Sequence, residues 1–427
     1  MTNTTPHKIY QNSFLGEEYH LFEHSSGLPI YIFPKKMTST YAIFGTNYGS
    51  IHNRFSIGST AEPITVPDGI AHFLEHKLFT AEDGSDAFER FSEYGADANA
   101  YTSFNKTCYL FSCTDRFEDS LRELLNFVTH PYFTKETVEK EQGIIGQEIR
   151  MYEDDPSWCV FLGLLKALYW ENPIRIDIAG TVETISEITP ELLYRTYKTF
   201  YNLSNMVLSI AGNFDSKEVL KLCDKLLPTC EDIEIENIIP NEPDDIFLKK
   251  TEKKLEVAMP LFEIGFKEKP DETDSLKGQI MNEMLLEMIF GESTEFYQRL
   301  YNEGTINSTF GTDVMAGDGY LINMIGGEAP DVQKVYDEIC YEIDRVRKEG
   351  LSKELFDGVK KSFYGARVSK MSVVEQVATG MLSSYFAGYD AFDSLECVKN
   401  IEFEDLEKRF KTQLFEERSS ISIVSPM

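Results

Sequence analysis

No apolar run in this chain approaches the roughly 20 residues that a membrane-spanning helix needs, so none is expected. Cysteines are few: seven, an odd number, with no C-x-x-C pair among them. That argues against a disulfide framework and for reduced, structural thiols. Positive charge is scarce too, with 41 Lys and Arg against 71 Asp and Glu and a formal net charge of -30. Such a chain repels nucleic acid and anionic lipid surfaces, so neither is an expected partner, whereas neutral or basic peptides approach freely. The first residues, MTNTTPHKIYQNS, lack the basic and apolar regions of a secretory signal. The expected compartment is therefore the cytoplasm.

Histidine is confined as well as scarce. All seven lie at or before His130, so a histidine-ligated metal centre made by this chain falls in its first third. The stretch GIAHFLEHKLF, Gly69 to Phe79, holds His72, Glu75 and His76 in the order H-x-x-E-H. On a helix His72 and His76 stand one turn apart and leave the same face, with Glu75 beside them. This is the zinc-peptidase motif H-E-x-x-H in reverse, in which two neutral imidazoles bind zinc and the carboxylate handles a water proton. A catalytic zinc site takes a third protein ligand, which the chain must supply elsewhere.

At 427 residues the chain suggests two to four domains, at about 100 to 200 residues each. LPIYIF and TYAIF read as strands, and Tyr48 to Pro67 as a loop running into Pro67-Asp68-Gly69, where Asp68 would cap the motif helix. A second helix is expected from Ser85, as N-cap, to Tyr94, ended by Gly95. DANAYTSF and TCYLFSC read as a hairpin whose first strand, opening at Asn99-Ala100, follows the metal helix closely. The helical segment TKETVEKEQGIIGQEIRM carries Glu136, Glu139, Glu141 and Glu148. Glu141 and Glu148 are seven apart and share a face, yet pattern alone does not choose the ligand among the four. CEDIEIENIIPNEPDD reads as an exposed acidic linker. The expected domains are 1–230, with the metal site, and 247–427, joined by 231–246. Offset by 211 residues, MNEMLLEMIF lies over the motif helix, with Glu283 and Glu287 at the histidine positions and Leu286 at that of Glu75, as in a repeat whose metal site has decayed.

Through HFLEHKLF, GADANAYTSFNKTCYLF, VEKEQGIIGQEIRMYEDDP, NPIRIDIAGTVETI and YNLSNMVLSIAGNFD the chain resembles the pitrilysin and insulinase family of zinc metallopeptidases over essentially its whole length. Within that family it is similar to the half-size bacterial proteins associated with elongation factor P 5-aminopentanol modification. The resemblance implies an α+β fold of two homologous domains, each a mostly antiparallel sheet with helices on one face, forming a clam-like chamber. It implies one zinc ion per chain on His72, His76 and Glu148, with Glu141 behind a ligating histidine and Glu75 as general base. It makes Asn99 and Ala100 substrate-binding positions, where an extended peptide adds to the strand edge. Complete members of the family also use an arginine and, seven residues later, a tyrosine on the substrate carbonyl. Here those positions hold Leu300 and Asn307. The expected function is zinc-dependent endopeptidase, completed by a second copy or by a related half-size chain in a dimer. The alternative is a non-catalytic or weakly active subunit that keeps the fold.

Overall fold

The computed structural model describes residues 5–58, 62–230, 232–270 and 275–427. It forms two compact units, each described separately below. The first comprises 1–149, 177–238 and 368–393; the second comprises 150–176, 239–367 and 394–427. The single division at 231–246 read from the sequence and these units differ in one respect, since each unit takes a segment from the other half of the chain.

In the first unit, β1 (Lys8–Asn12), β2 (Glu17–Glu23), β3 (Pro29–Pro34) and β4 (Thr40–Thr46) are followed by two short strands, β5 (Arg54–Ile57) and β6 (Ile64–Thr65). The motif helix α1 (Ile70–Leu78) and α2 (Ala87–Tyr94) lead to the hairpin of β7 (Asp97–Thr102) and β8 (Thr107–Cys113). Helices α3 (Phe117–Thr129) and α4 (Lys135–Glu153) come next. After α5 (Pro156–Leu168), which belongs to the second unit, come α6 (Val182–Ser186), α7 (Pro190–Phe200), β9 (Met206–Gly212), α8 (Ser216–Leu226) and β10 (Ile235–Asn237). The main sheet runs β1-β2-β3-β9-β4-β8-β7. Only β3 and β9 pair in parallel. Every residue of β4 and β9 is buried, as expected of strands covered on both faces. Ala42, Phe44, Leu208 and Ile210 point into the main apolar core beside α1 and α3.

The second unit holds β11 (Lys250–Leu255), β12 (Leu261–Glu268), β13 (Gly311–Gly317), β14 (Tyr320–Glu328) and β15 (Ser419–Pro426). Its helices include α9 (Ser275–Phe290), α10 (Glu295–Asn302), α11 (Val332–Glu349) and α12 (Lys353–Lys370). The order β11-β15-β12-β14-β13, with β11 and β15 parallel and the rest antiparallel, reproduces β3-β9-β4-β8-β7 strand for strand. In that correspondence α9 is the counterpart of α1, the element the 211-residue offset laid over it. The remaining face of each sheet is closed by an exchanged helix: α13 (Val374–Phe386) lies on β3, β4 and β9, and α5 lies on β11, β12 and β15.

Three local expectations change. Asp68 does not cap α1: the N-cap is Gly69, without a side-chain cap bond, and Asp68 instead accepts from Asn53 Nδ2 at 2.9 Å. The cap of α2 is Asp86, which accepts from the Phe88 amide at 2.8 Å, one residue beyond Ser85. The loop 48–67 contains β5 and β6, which join β10 of the acidic segment in a three-stranded sheet; residues 59–61 of that loop, and 231 of the segment, lie outside the described residues.

Candidate metal centre

Helix α1 is nearly all buried, because it lies between the sheet and the segment 177–185. Its first turn needs a glycine twice over. Gly69 has φ +91°, and a Cβ there would sit 2.3 Å from the Ala179 carbonyl oxygen. Ala179 belongs to IDIAGT, so that motif backs the start of the metal helix.

His72 and His76 leave one face of α1 with ring centroids 4.6 Å apart. Helix α4 brings Glu148 against them: Oε1 is 3.7 Å from His72 Nε2 and Oε2 is 3.4 Å from His76 Nε2. Ligand atoms of all three lie within 4.8 Å of one another, the one such cluster of three among the described residues. Zinc bonds of about 2.0–2.2 Å in a tetrahedron put neighbouring donors about 3.4 Å apart. Two imidazole nitrogens and a carboxylate at these spacings fit zinc.

Glu141 stands behind the pair. His76 Nδ1 donates to Glu141 Oε1 at 3.2 Å, which orients the ring and turns Nε2 toward Glu148. The other oxygen of Glu141 meets Lys77 Nζ at 3.6 Å, and Lys77 is only 2% exposed. Of the four glutamates left open by the pattern, Glu136 and Glu139 are exposed, and Glu139 pairs with Lys135.

The two histidines differ in their electrostatics. Burial, with His76 beside it, pushes His72 down to about 3, so its imidazole is neutral at physiological pH, the form a metal takes. Burial alone would lower His76 also, but its bond to Glu141 and the charges of Glu75 and Glu148 outweigh that and hold it high. Burial raises Glu75, a shift moderated by a bond from Thr102. Thr102 Oγ1 donates to Glu75 Oε2 at 2.6 Å. Neither Lys77 nor Thr102 was singled out by sequence reasoning; their only signal was nearness, one residue after His76 and two after Ala100.

Strand β7 is an edge of its sheet, with β8 on one side. Asn99 is exposed, its Oδ1 accepting from the Ala100 amide at 2.8 Å, and Ala100 packs on the core. In the second unit Leu300 is fully buried, and Asn307 donates to Glu328 at 3.0 Å. Arg299 is occupied by Glu338 at 2.6 Å, and Tyr301 stacks on Tyr297. On α9, Glu283 pairs with Arg367 at 3.0 Å.

The profile described as insulinase, peptidase family M16, matches residues 52–182, and that described as peptidase M16 inactive domain matches 187–363. The uncharacterized zinc protease YmfH of Bacillus subtilis is 40% identical over 409 residues, covering 94% of this chain and 95% of the relative. An M16-like peptidase from Alicyclobacillus acidocaldarius superposes with a TM-score of 0.93 at 32% identity, over 98% of this chain and 100% of that one. The periplasmic protease PqqL of Escherichia coli shares the fold at a TM-score of 0.73 and 19% identity, over 95% of this chain but 47% of its own length.

Proposed function

Because the chain belongs to the insulinase family, peptidase family M16, as a half-size member, we propose that it is a zinc-dependent endopeptidase acting on extended peptides. His72, His76 and Glu148 would hold one zinc ion per chain. The observation that carries this reading is the convergence of these three donors, with Glu75 on the same helix beside them.

When bound, zinc supplies Lewis acidity, polarising the scissile carbonyl and bringing the pKa of water from about 16 to about 7. His72 would present a neutral Nε2 lone pair and His76 would present one on giving up the proton that its carboxylate neighbours favour, while Glu141 keeps the His76 ring turned to the site through Nδ1. Glu75 takes a proton from the attacking water as its oxygen adds to the carbonyl carbon. It returns that proton to the leaving nitrogen as the C–N bond breaks. The outer edge of β7, at Asn99 and Ala100, pairs with the substrate backbone and aligns it past Glu75.

A second related half-size chain, identical or paralogous, would complete the carbonyl donors. Support comes from Leu300 and Asn307, where a buried leucine has no donor to give and the amide is bound to Glu328. Lack of one such donor typically costs about 100 to 1000-fold in rate. The same two residues, with the inactive-domain description over 187–363, favour the second reading, a subunit that keeps the fold without catalysis.

The test pairs zinc analysis with cleavage of a quenched fluorogenic peptide library by the purified chain, alone and mixed with a related half-size member. Cleavage should fall at least about 100-fold in Glu75→Gln, with zinc content unchanged. Stoichiometric zinc with no cleavage in either mixture would select the non-catalytic subunit, and absence of bound zinc would undo the site.

A further inference from the structure

Thr102 ends β7 directly opposite Thr107 of β8, and their hydroxyls form a short chain beneath the motif helix. Thr107 Oγ1 lies 2.9 Å from the Tyr48 carbonyl oxygen and 3.3 Å from Thr102 Oγ1, which in turn lies 2.6 Å from Glu75 Oε2. Each hydroxyl has one proton to give. A carbonyl can only accept, so the proton of Thr107 goes to Tyr48. Thr102 then has two acceptors, a carboxylate at 2.6 Å and a hydroxyl at 3.3 Å. The nearer, charged one takes its proton.

From this geometry we propose that Thr102 is a positioning residue for Glu75. Its hydroxyl engages Oε2 and, with the bond from its own backbone amide, fixes the rotation of the carboxylate that meets the attacking water. The inference rests on the reading of Glu75 as general base. Site and strand are coupled by the same bond: the strand proposed to pair with substrate also orients the group proposed to handle the proton. Thr107 is fully buried, and its commitment to Tyr48 leaves the Thr102 proton uncontested.

Valine has the branched shape of threonine without the hydroxyl, and serine keeps the hydroxyl. In Thr102→Val, kcat on a fluorogenic peptide should drop about 10 to 100-fold, the value of one hydrogen bond to a charged group. KM and zinc content should stay near wild type, and Thr102→Ser should recover kcat to within about threefold. Crystal structures of the two variants give a readout independent of activity: left with the residue-102 amide alone, the Glu75 carboxylate should rotate in the valine variant and keep its wild-type orientation in the serine variant. Wild-type kcat in Thr102→Val, equal impairment in both variants, or an unmoved carboxylate in the valine structure would each overturn the proposal. If the wild type shows no Glu75-dependent cleavage, the peptidase reading fails on its own, and the carboxylate positions in the two structures decide the role of Thr102.

Discussion

Glu141 illustrates how a side chain can govern a metal site from one shell out. It holds His76 through Nδ1 and stands between that ring and the buried ammonium of Lys77. Burial pushes its carboxyl up, but the bond from His76 and the charge of Lys77 outweigh that and keep it below the usual range. Replacing it by glutamine keeps the shape and loses the charge. Such partners typically contribute 10 to 100-fold in metal affinity, so Glu141→Gln should release zinc to a competing chelator at about 10 to 100-fold lower chelator strength. Glu148→Ala, which removes a proposed ligand itself, should leave no stoichiometric zinc after dialysis. Stoichiometric zinc kept by Glu148→Ala through dialysis would mean that Glu148 is not a ligand. At this scale the sequence was most informative where spacing is short-range: i,i+4 histidines must share a helical face. It was least informative for Lys77 and Thr102, whose roles come from what folds against them.

At the scale of elements, α1 depends on its entry more than on its interior. A side chain at position 69 meets both the left-handed backbone, a cost of about 1–2 kcal/mol, and the Ala179 carbonyl, where overpacking costs about 1–3 kcal/mol. Gly69→Ala should therefore destabilise the first unit by about 2–5 kcal/mol, seen as faster hydrogen exchange in α1 and a lower denaturant midpoint. An unchanged midpoint would show that the 177–185 segment yields easily. The strands β3, β4 and β8 were legible as β-branched and aromatic runs, and α4 as a charged helix. What escaped were elements made by distant partners. β5 and β6 are four and two residues long, too short for any periodicity, and exist because β10 pairs with β5. The acidic segment read as bare linker, yet Glu242 accepts from the amides of Trp170, Glu171 and Asn172 and pairs with buried Lys267.

Across the whole molecule, charge sets a pH dependence. Burial pushes Glu268 and Glu263 of the second unit up to about 7, with Asp313 adding to the shift at Glu263, against 4.5 when unfolded. Between those values the folded unit holds more protons than the unfolded chain, so stability falls as pH rises from about 4.5 to about 7. Each group contributes about 1–3 kcal/mol over that window. Hydrogen exchange in β12 should report a more protected second unit at pH 5.5 than at pH 8, and Glu268→Gln should flatten the difference; an unaltered slope would assign it to other groups.

The reciprocal helices carry a further consequence. Gly45 of β4 and Gly265 of β12 occupy equivalent strands, and each makes room for leucines of the exchanged helix, Leu382 of α13 and Leu168 and Leu164 of α5. Neither half of the polypeptide can close its own sheet alone. A single proteolytic nick in the segment 232–246 should thus yield two fragments that elute as one particle under native conditions and part only in denaturant. Expressed separately, each fragment should be poorly soluble until mixed with the other. The chain is, in effect, a covalently tethered fragment-complementation pair, and its final folding step waits until the last third has been synthesised.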